Sequence, residues 1–223
     1  MQRRGGFTLI EVMITVAILG IFALIGGISM QGSMGEARAK GAVRNFADLM
    51  MFARTEAIRT GDDHIVFFAQ DAEGNALTGA GGQPAAALLI RDQDGDGKVD
   101  AGEKIAAVNV DGTGSLGWGS AWAAAGSNKA PNDNPVASFP ASDADFLCCS
   151  FTEPDGGAAR WVLFRPDGIP RAFSVDPFSA GNVASGNGAV YVTSGARDYA
   201  VVLAPLGGVR VHAWAKGASA WTK

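Results

Sequence analysis

The 223-residue sequence is poor in the side chains that carry most enzyme chemistry. It has two histidines, His64 and His212, and two cysteines, Cys148 and Cys149. Neither histidine has a cysteine or a second histidine at ligand spacing, so packing is the reading for both. The cysteines are neighbours, and a bond between neighbours is strained. Two small hydrophobes in a strand, without a conventional structural disulfide, is the expectation. No HExxH, nucleophile elbow or P-loop occurs. Gly112-Thr113-Gly114-Ser115-Leu116-Gly117 formally fits a dinucleotide fingerprint, but Trp118-Gly119-Ser120 does not open a helix, so it reads as a loop. No catalytic constellation emerges, and the chain is not expected to be an enzyme. Positive charge is also short: 18 basic against 22 acidic side chains, a formal net charge of −4. That argues against general binding to a phosphate backbone. Residues 209–223 offer only Arg210, Lys216 and Lys223, so a nucleic-acid partner is not expected.

What the chain does have is one long apolar run. Residues 12–30 are uncharged, about enough helix to cross ~30 Å of hydrocarbon. Arg3 and Arg4 lie before the run, which by the positive-inside rule keeps the N-terminus cytoplasmic and sends the rest outward. An ordinary secretory signal would be cut behind the run at a small-x-small site. The candidates, Ala37-Arg38-Ala39 and Ala85-Ala86-Ala87, lie too far along to fit well. Glu11 stands at the head of the run. A carboxylate at the bilayer centre would cost ~2.5–3.5 kcal/mol, less near an interface. Such a residue either reaches the headgroups or has a function.

Gly6-Phe7-Thr8-Leu9-Ile10-Glu11, followed by Val12-Met13-Ile14, resembles the type III signal of type IV pilins and type II secretion pseudopilins. The resemblance implies cleavage by prepilin peptidase between Gly6 and Phe7, and N-methylation of the new Phe7 amine. It also implies that Glu11 serves filament assembly. A carboxylate buried between packed helices needs a cationic partner, and the Phe7 amine of a neighbouring subunit can supply one.

Residues 36–60 read as an amphipathic continuation of the helix. Val43, Phe46, Ala47, Met50, Ala53, Ala57 and Ile58 recur at three and four residues, and Gly61 suits a C-terminal cap. Gly26-Gly27 and Gly32 to Gly35 form a weak stretch between the two parts. From residue 64 the period changes to strands, expected at 64–69, 86–91, 104–110, 145–151, 160–165, 169–175, 189–193, 199–204 and 209–214. Arg165-Pro166-Asp167-Gly168 and Pro205-Leu206-Gly207-Gly208 are turn sequences. Residues 111–140, rich in Gly, Ala, Ser and Asn, read as an inserted loop. Three segments resemble the GspH/FimT group of minor subunits: Ala53-Arg54-Thr55-Glu56-Ala57-Ile58, Phe164-x-Pro166-Asp167-Gly168, and Val202-x-x-Pro205-x-Gly207-x-Val209-Arg210-Val211.

One metal pattern is present. Residues 92–103 fit the twelve-residue calcium loop throughout. Asp92, Asp94, Asp96, the Lys98 carbonyl, Asp100 (directly or through water) and Glu103 would supply hard oxygens, with Gly97 at the sharp turn. The flanks look like strands rather than helices. Two readings therefore stand: a calcium loop on a β-hairpin, or a solvated acidic turn. Trp214 and Trp221 fit either an interface or the edge of the domain.

These readings combine into a pilin-like α+β chain. Residues 1–6 form a leader, 7–30 a membrane and filament-core helix, 31–61 its amphipathic continuation, and 62–223 a β-rich domain. The resemblance implies a single-pass protein of the bacterial inner membrane with a periplasmic domain. Its implied partners are other pseudopilins or pilins, prepilin peptidase and the inner-membrane assembly platform. The function expected first is that of a minor pseudopilin of type II secretion. A minor pilin of a type IV pilus, in assembly or DNA uptake, is the near alternative. A membrane-anchored calcium-binding receptor or enzyme is the distant one.

Overall fold

The structure, a computed structural model, describes residues 8–109, 117–118, 148–194, 197–215, 218 and 220–222, with backbone only at 23–35 and 117–118. It opens on one helix, α1 (Leu9–Thr60), of 52 residues. Thr8 caps its start: the Glu11 N–H donates to Thr8 Oγ1 at 3.4 Å. Gly61 ends it in the left-handed region (φ 77°), its N–H returning to the Ala57 carbonyl. The two expected helical parts are thus one element, and the helix runs unbroken through the glycines between them.

Strands follow in chain order: β1 (Asp63–Phe68), β2 (Ala85–Asp92), β3 (Lys104–Asn109), β4 (Gly117–Trp118), β5 (Phe151–Thr152), β6 (Ala158–Ala159), β7 (Trp161–Phe164), β8 (Pro170–Arg171), β9 (Phe173–Val175), β10 (Phe178–Ala180), β11 (Gly188–Thr193), β12 (Arg197–Leu203) and β13 (Val209–Ala215). They form a five-stranded sheet in the order β3-β2-β1-β7-β8 and a four-stranded sheet in the order β13-β12-β11-β4, with two small hairpins, β5-β6 and β9-β10. Every strand pairing among the described residues is antiparallel.

The second half of α1 packs on both large sheets. Ala39, Ala42, Val43, Phe46, Leu49, Met50, Ala53 and Ala57 form its buried stripe. Ile58, expected on that stripe, is instead 55% exposed, because it follows the buried Ala57 directly and so points about 100° around the helix from it. Phe46 meets Phe68 edge-on and Phe68 stacks on Phe151. Strand alternation sends Phe67 to the other face, where Trp161 and Phe173 surround it. Both faces of this sheet are therefore covered, and β1, β2 and β7 are buried almost continuously.

The expected strand at 169–175 divides into β8 and β9. Ala172 breaks it: its N–H goes to Ser185 Oγ and its carbonyl takes the Gly181 N–H. The chain there leaves the large sheet and joins a loop. Of the strand expected at 145–151, residues 145–147 lie outside the described residues. Cys149 makes only an isolated bridge to Val190. The insert at 111–140 and the fingerprint at 112–117 also lie outside the described residues, apart from Gly117–Trp118, which pair with β11.

Cys148 and Cys149 are joined in a disulfide, which corrects the expectation of two free thiols. Adjacency puts their Cα atoms 3.8 Å apart, and the chain has no other cysteine to compete. The burial expected of them holds, at 3% and 1% exposure. His64 is fully buried with Nδ1 3.0 Å from the Asp62 carbonyl, and His212 is buried in β13. Trp214 and Trp221 meet edge-on, centroids 5.5 Å apart. Trp221 also packs against the patch of Ala189, Tyr191, Ala200 and Val202, on the opposite side of β11 and β12 from the main core.

Candidate functional site

At the helix start, Thr8 and Glu11 stand in the Ser/Thr-x-x-Glu order of a capping box. Thr8 Oγ1 accepts the Glu11 N–H and lies 3.5 Å from Glu11 Oε2. This local role of Glu11 was readable from the spacing but is hidden behind the longer processing motif. The carboxylate also sits at the positive end of the helix dipole. Around it the side chains are apolar and bare: Leu9 is 78% exposed, Ile10 68% and Met13 64%. Gly6 and Phe7 lie outside the described residues. Among the described residues no helix is long and apolar enough to cross a membrane. The span expected at 12–30 extends past Phe22, where the described side chains of this stretch stop.

At the helix end, three segments distant in sequence converge. Arg54 Nη1 donates to the Gly207 carbonyl at 3.1 Å. Gly168 and Gly207 have φ of 71° and 83°. A Cβ on Gly207 would lie 3.1 Å from the Gly168 carbonyl oxygen and 3.2 Å from the Arg54 guanidinium. A Cβ on Gly168 would lie 2.6 Å from Ile58 Cδ1. The helix end, the β7–β8 turn and the β12–β13 turn thus meet at one junction. These are the segments whose residues resemble the GspH/FimT group. Nearer the start of the same packing face, Glu36 bridges Lys40 and Arg197, each at 3.1 Å, tying α1 to β12. The Lys40 hydrogen bond, aided by the Arg197 charge, holds the Glu36 carboxyl below its ordinary value.

The acidic loop connects β2 to β3, and its flanks are strands, as expected. Asp92, Asp94 and Asp96 each bring a carboxylate oxygen within 4.8 Å of the others. Asp92 Oδ1 accepts the Gly95 N–H at 3.0 Å, Asp94 Oδ1 the Asp96 N–H at 3.3 Å, and Asp96 Oδ1 the Lys98 N–H at 2.8 Å. Glu103 Oε1 accepts the Gln93 N–H at 2.7 Å and so closes the loop. Burial pushes the Asp92 carboxyl above its ordinary value, as do the Asp94 and Asp96 charges, while the Gly95 and Gly97 N–H groups oppose this. Burial likewise raises Glu103, helped by the Asp94, Asp92 and Asp100 charges. Lys98 faces Glu73 at 3.5 Å, and Asp100 is exposed. Gly97 is left-handed (φ 72°), and a Cβ there would lie 2.8 Å from Phe178 and 3.0 Å from Phe173. The loop is thereby seated on the β9–β10 hairpin.

The order of parts is that of a pilin-like α+β protein: one long N-terminal helix whose second half packs on antiparallel sheets. Residues 1–27 match the prokaryotic N-terminal methylation motif, so the chain carries a prepilin-type N-terminus. No curated protein matches the chain. Among solved structures, the minor pseudopilin EpsH from the type 2 secretion system of Vibrio cholerae is similar over 81% of this chain and 99% of that chain, at 12% identity and a TM-score of 0.39.

Proposed function

We propose that the chain is a minor pseudopilin of a type II secretion system, a structural subunit that helps initiate or cap a periplasmic pseudopilus. The observation that carries this reading is the prepilin-type motif at residues 1–27, set on a helix that continues into the β-rich domain. Two further features support it. The first turns of α1 expose apolar side chains that need a lipid or helical environment. The GspH/FimT-like segments meet at one packed junction rather than lying apart. The work on this reading is assembly, with the membrane and neighbouring subunits taking turns as solvent for the same helix. Glu11 would exchange its contact with Thr8 for the Phe7 amine of a neighbour. The proposed partners are other pseudopilins, prepilin peptidase and the inner-membrane assembly platform.

The test is intact-mass and N-terminal analysis of the protein recovered from its native membrane. The expected product begins at N-methyl-Phe7. A chain that starts at Met1, or one cut behind the apolar run, overturns the reading. Cross-linking then separates the systems: capture of secretion pseudopilins supports the proposal, and capture of a pilus major subunit assigns the chain to a type IV pilus.

A further inference from the structure

The β2–β3 loop gathers more negative charge than the protein around it balances. Its one cationic side chain, Lys98, turns aside to Glu73. Two of its carboxylates are taken almost wholly out of water: Asp92 is 5% exposed and Glu103 7%. Each has one oxygen satisfied by a backbone N–H, and each has a second, Asp92 Oδ2 and Glu103 Oε2, that is buried with no hydrogen-bond partner. An unpartnered buried carboxylate oxygen is costly, and two ionised carboxylates in one loop repel rather than pair. Asp92 lies within 4.8 Å of Asp94 and Asp96, carboxylate oxygen to carboxylate oxygen, where one cation would relieve its charge, and Glu103 closes the same loop through the Gln93 N–H.

We propose that residues 92–103 form a calcium site, with Asp92 Oδ2, the Asp94 and Asp96 carboxylates and Glu103 Oε2 as its charged oxygens. The Lys98 carbonyl and Asp100, directly or through water, complete the set. The donors are all hard oxygens, which selects calcium or magnesium over zinc or copper. A loop able to offer six oxygens from the protein suits calcium, because magnesium holds on to its own waters. Bound calcium has a structural consequence. Gly97 is pressed against Phe173 and Phe178, and Val99 packs on the main core. Drawing the carboxylates together therefore fixes the loop onto the β9–β10 hairpin, which covers the face of the large sheet turned away from α1. The inference does not rest on the filament reading.

The experiment uses the full chain in detergent, stripped with chelator and titrated with calcium chloride or magnesium chloride, read by calorimetry and thermal unfolding. Calcium should bind with a Kd on the order of 10⁻⁴–10⁻³ M or tighter. At about a hundredfold excess over Kd it should raise Tm by roughly 5–10 °C, and magnesium should do much less. The double variant Asp94→Asn, Asp96→Asn changes two carboxylates that are not buried, so it should fold and lose the calcium shift. Asp48→Asn, on the exposed face of α1, should keep it. Absence of heat and of any Tm change up to about 10 mM calcium overturns the site, given the range of such loops. So does a calcium shift that survives in the double variant.

Discussion

Arg54 illustrates how much one side chain can hold together here. Its guanidinium reaches the Gly207 carbonyl and packs beside Gly168, so it clamps two turns to the helix. A charged donor on a part-buried carbonyl contributes about 1.5–3 kcal/mol. Arg54→Ala should therefore lower stability by about 2 kcal/mol, seen as a fall in Tm of roughly 4–8 °C for a chain of this size. Gly207→Ala should cost a similar ~1–2 kcal/mol, because it places a Cβ in the left-handed region against backbone that cannot yield. An unchanged Tm in both variants would refute the junction. The residues of this junction could be picked from the sequence, since turn chemistry marks Gly168 and Gly207 and the helix pattern marks Ala53 to Ile58. Their meeting could not, because contacts between positions 54, 168 and 207 are set by sheet order. The same holds for the acidic loop. Its spacing is local and legible, whereas the burial of Asp92 and Glu103 depends on what packs over them.

At the scale of elements, α1 is stabilised less by its own propensity than by what it touches. Its middle carries paired glycines, each costing about 0.5–1 kcal/mol in a helix interior. Its second half recovers this through the buried stripe from Ala39 to Ala57 and through two ties, Glu36 to Arg197 and Arg54 to Gly207. The Glu36 tie is pH-dependent. Its carboxyl is held below the ordinary 4.5, so its stabilisation is present above that value and is lost as pH falls through the lower folded value. Wild type should be more stable than Glu36→Gln near neutral pH, and the difference should shrink and vanish as pH falls below the ordinary carboxylate range. A gap in Tm that stays constant with pH would refute the linkage. Gly61→Ala should cost about 1 kcal/mol through its left-handed φ alone, since a Cβ there meets nothing within 4 Å. The helix and the long strands were legible because each keeps one period over many residues. The split of β8 from β9 was not, because Ala172 gives its backbone to Ser185 and Gly181, and no local pattern announces that exchange.

The whole molecule has two unlike surfaces. From Leu9 to Phe22 it shows apolar side chains to its surroundings, while the second half of α1 and the sheets enclose an ordinary core. A single subunit therefore cannot satisfy its own N-terminus, and Glu11 sits within the unsatisfied part. Alone, its carboxylate rests against Thr8 and the helix dipole, interactions worth at most about 1 kcal/mol at an exposed terminus. Inside a bundle of such helices it would be buried, and a cationic partner becomes necessary. Removing one member of a buried ion pair costs about 3–5 kcal/mol, several times the local cap. Glu11→Val should thus change thermal stability of the isolated subunit by no more than about 1 kcal/mol, yet reduce its recovery in sheared or cross-linked filaments at least tenfold. Cleavage behind Gly6 should persist, since the variant leaves the Gly6-Phe7 bond in place. Comparing N-terminal processing with filament recovery in the same cells separates the two effects. Full recovery of Glu11→Val in filaments would show that the carboxylate only caps the helix.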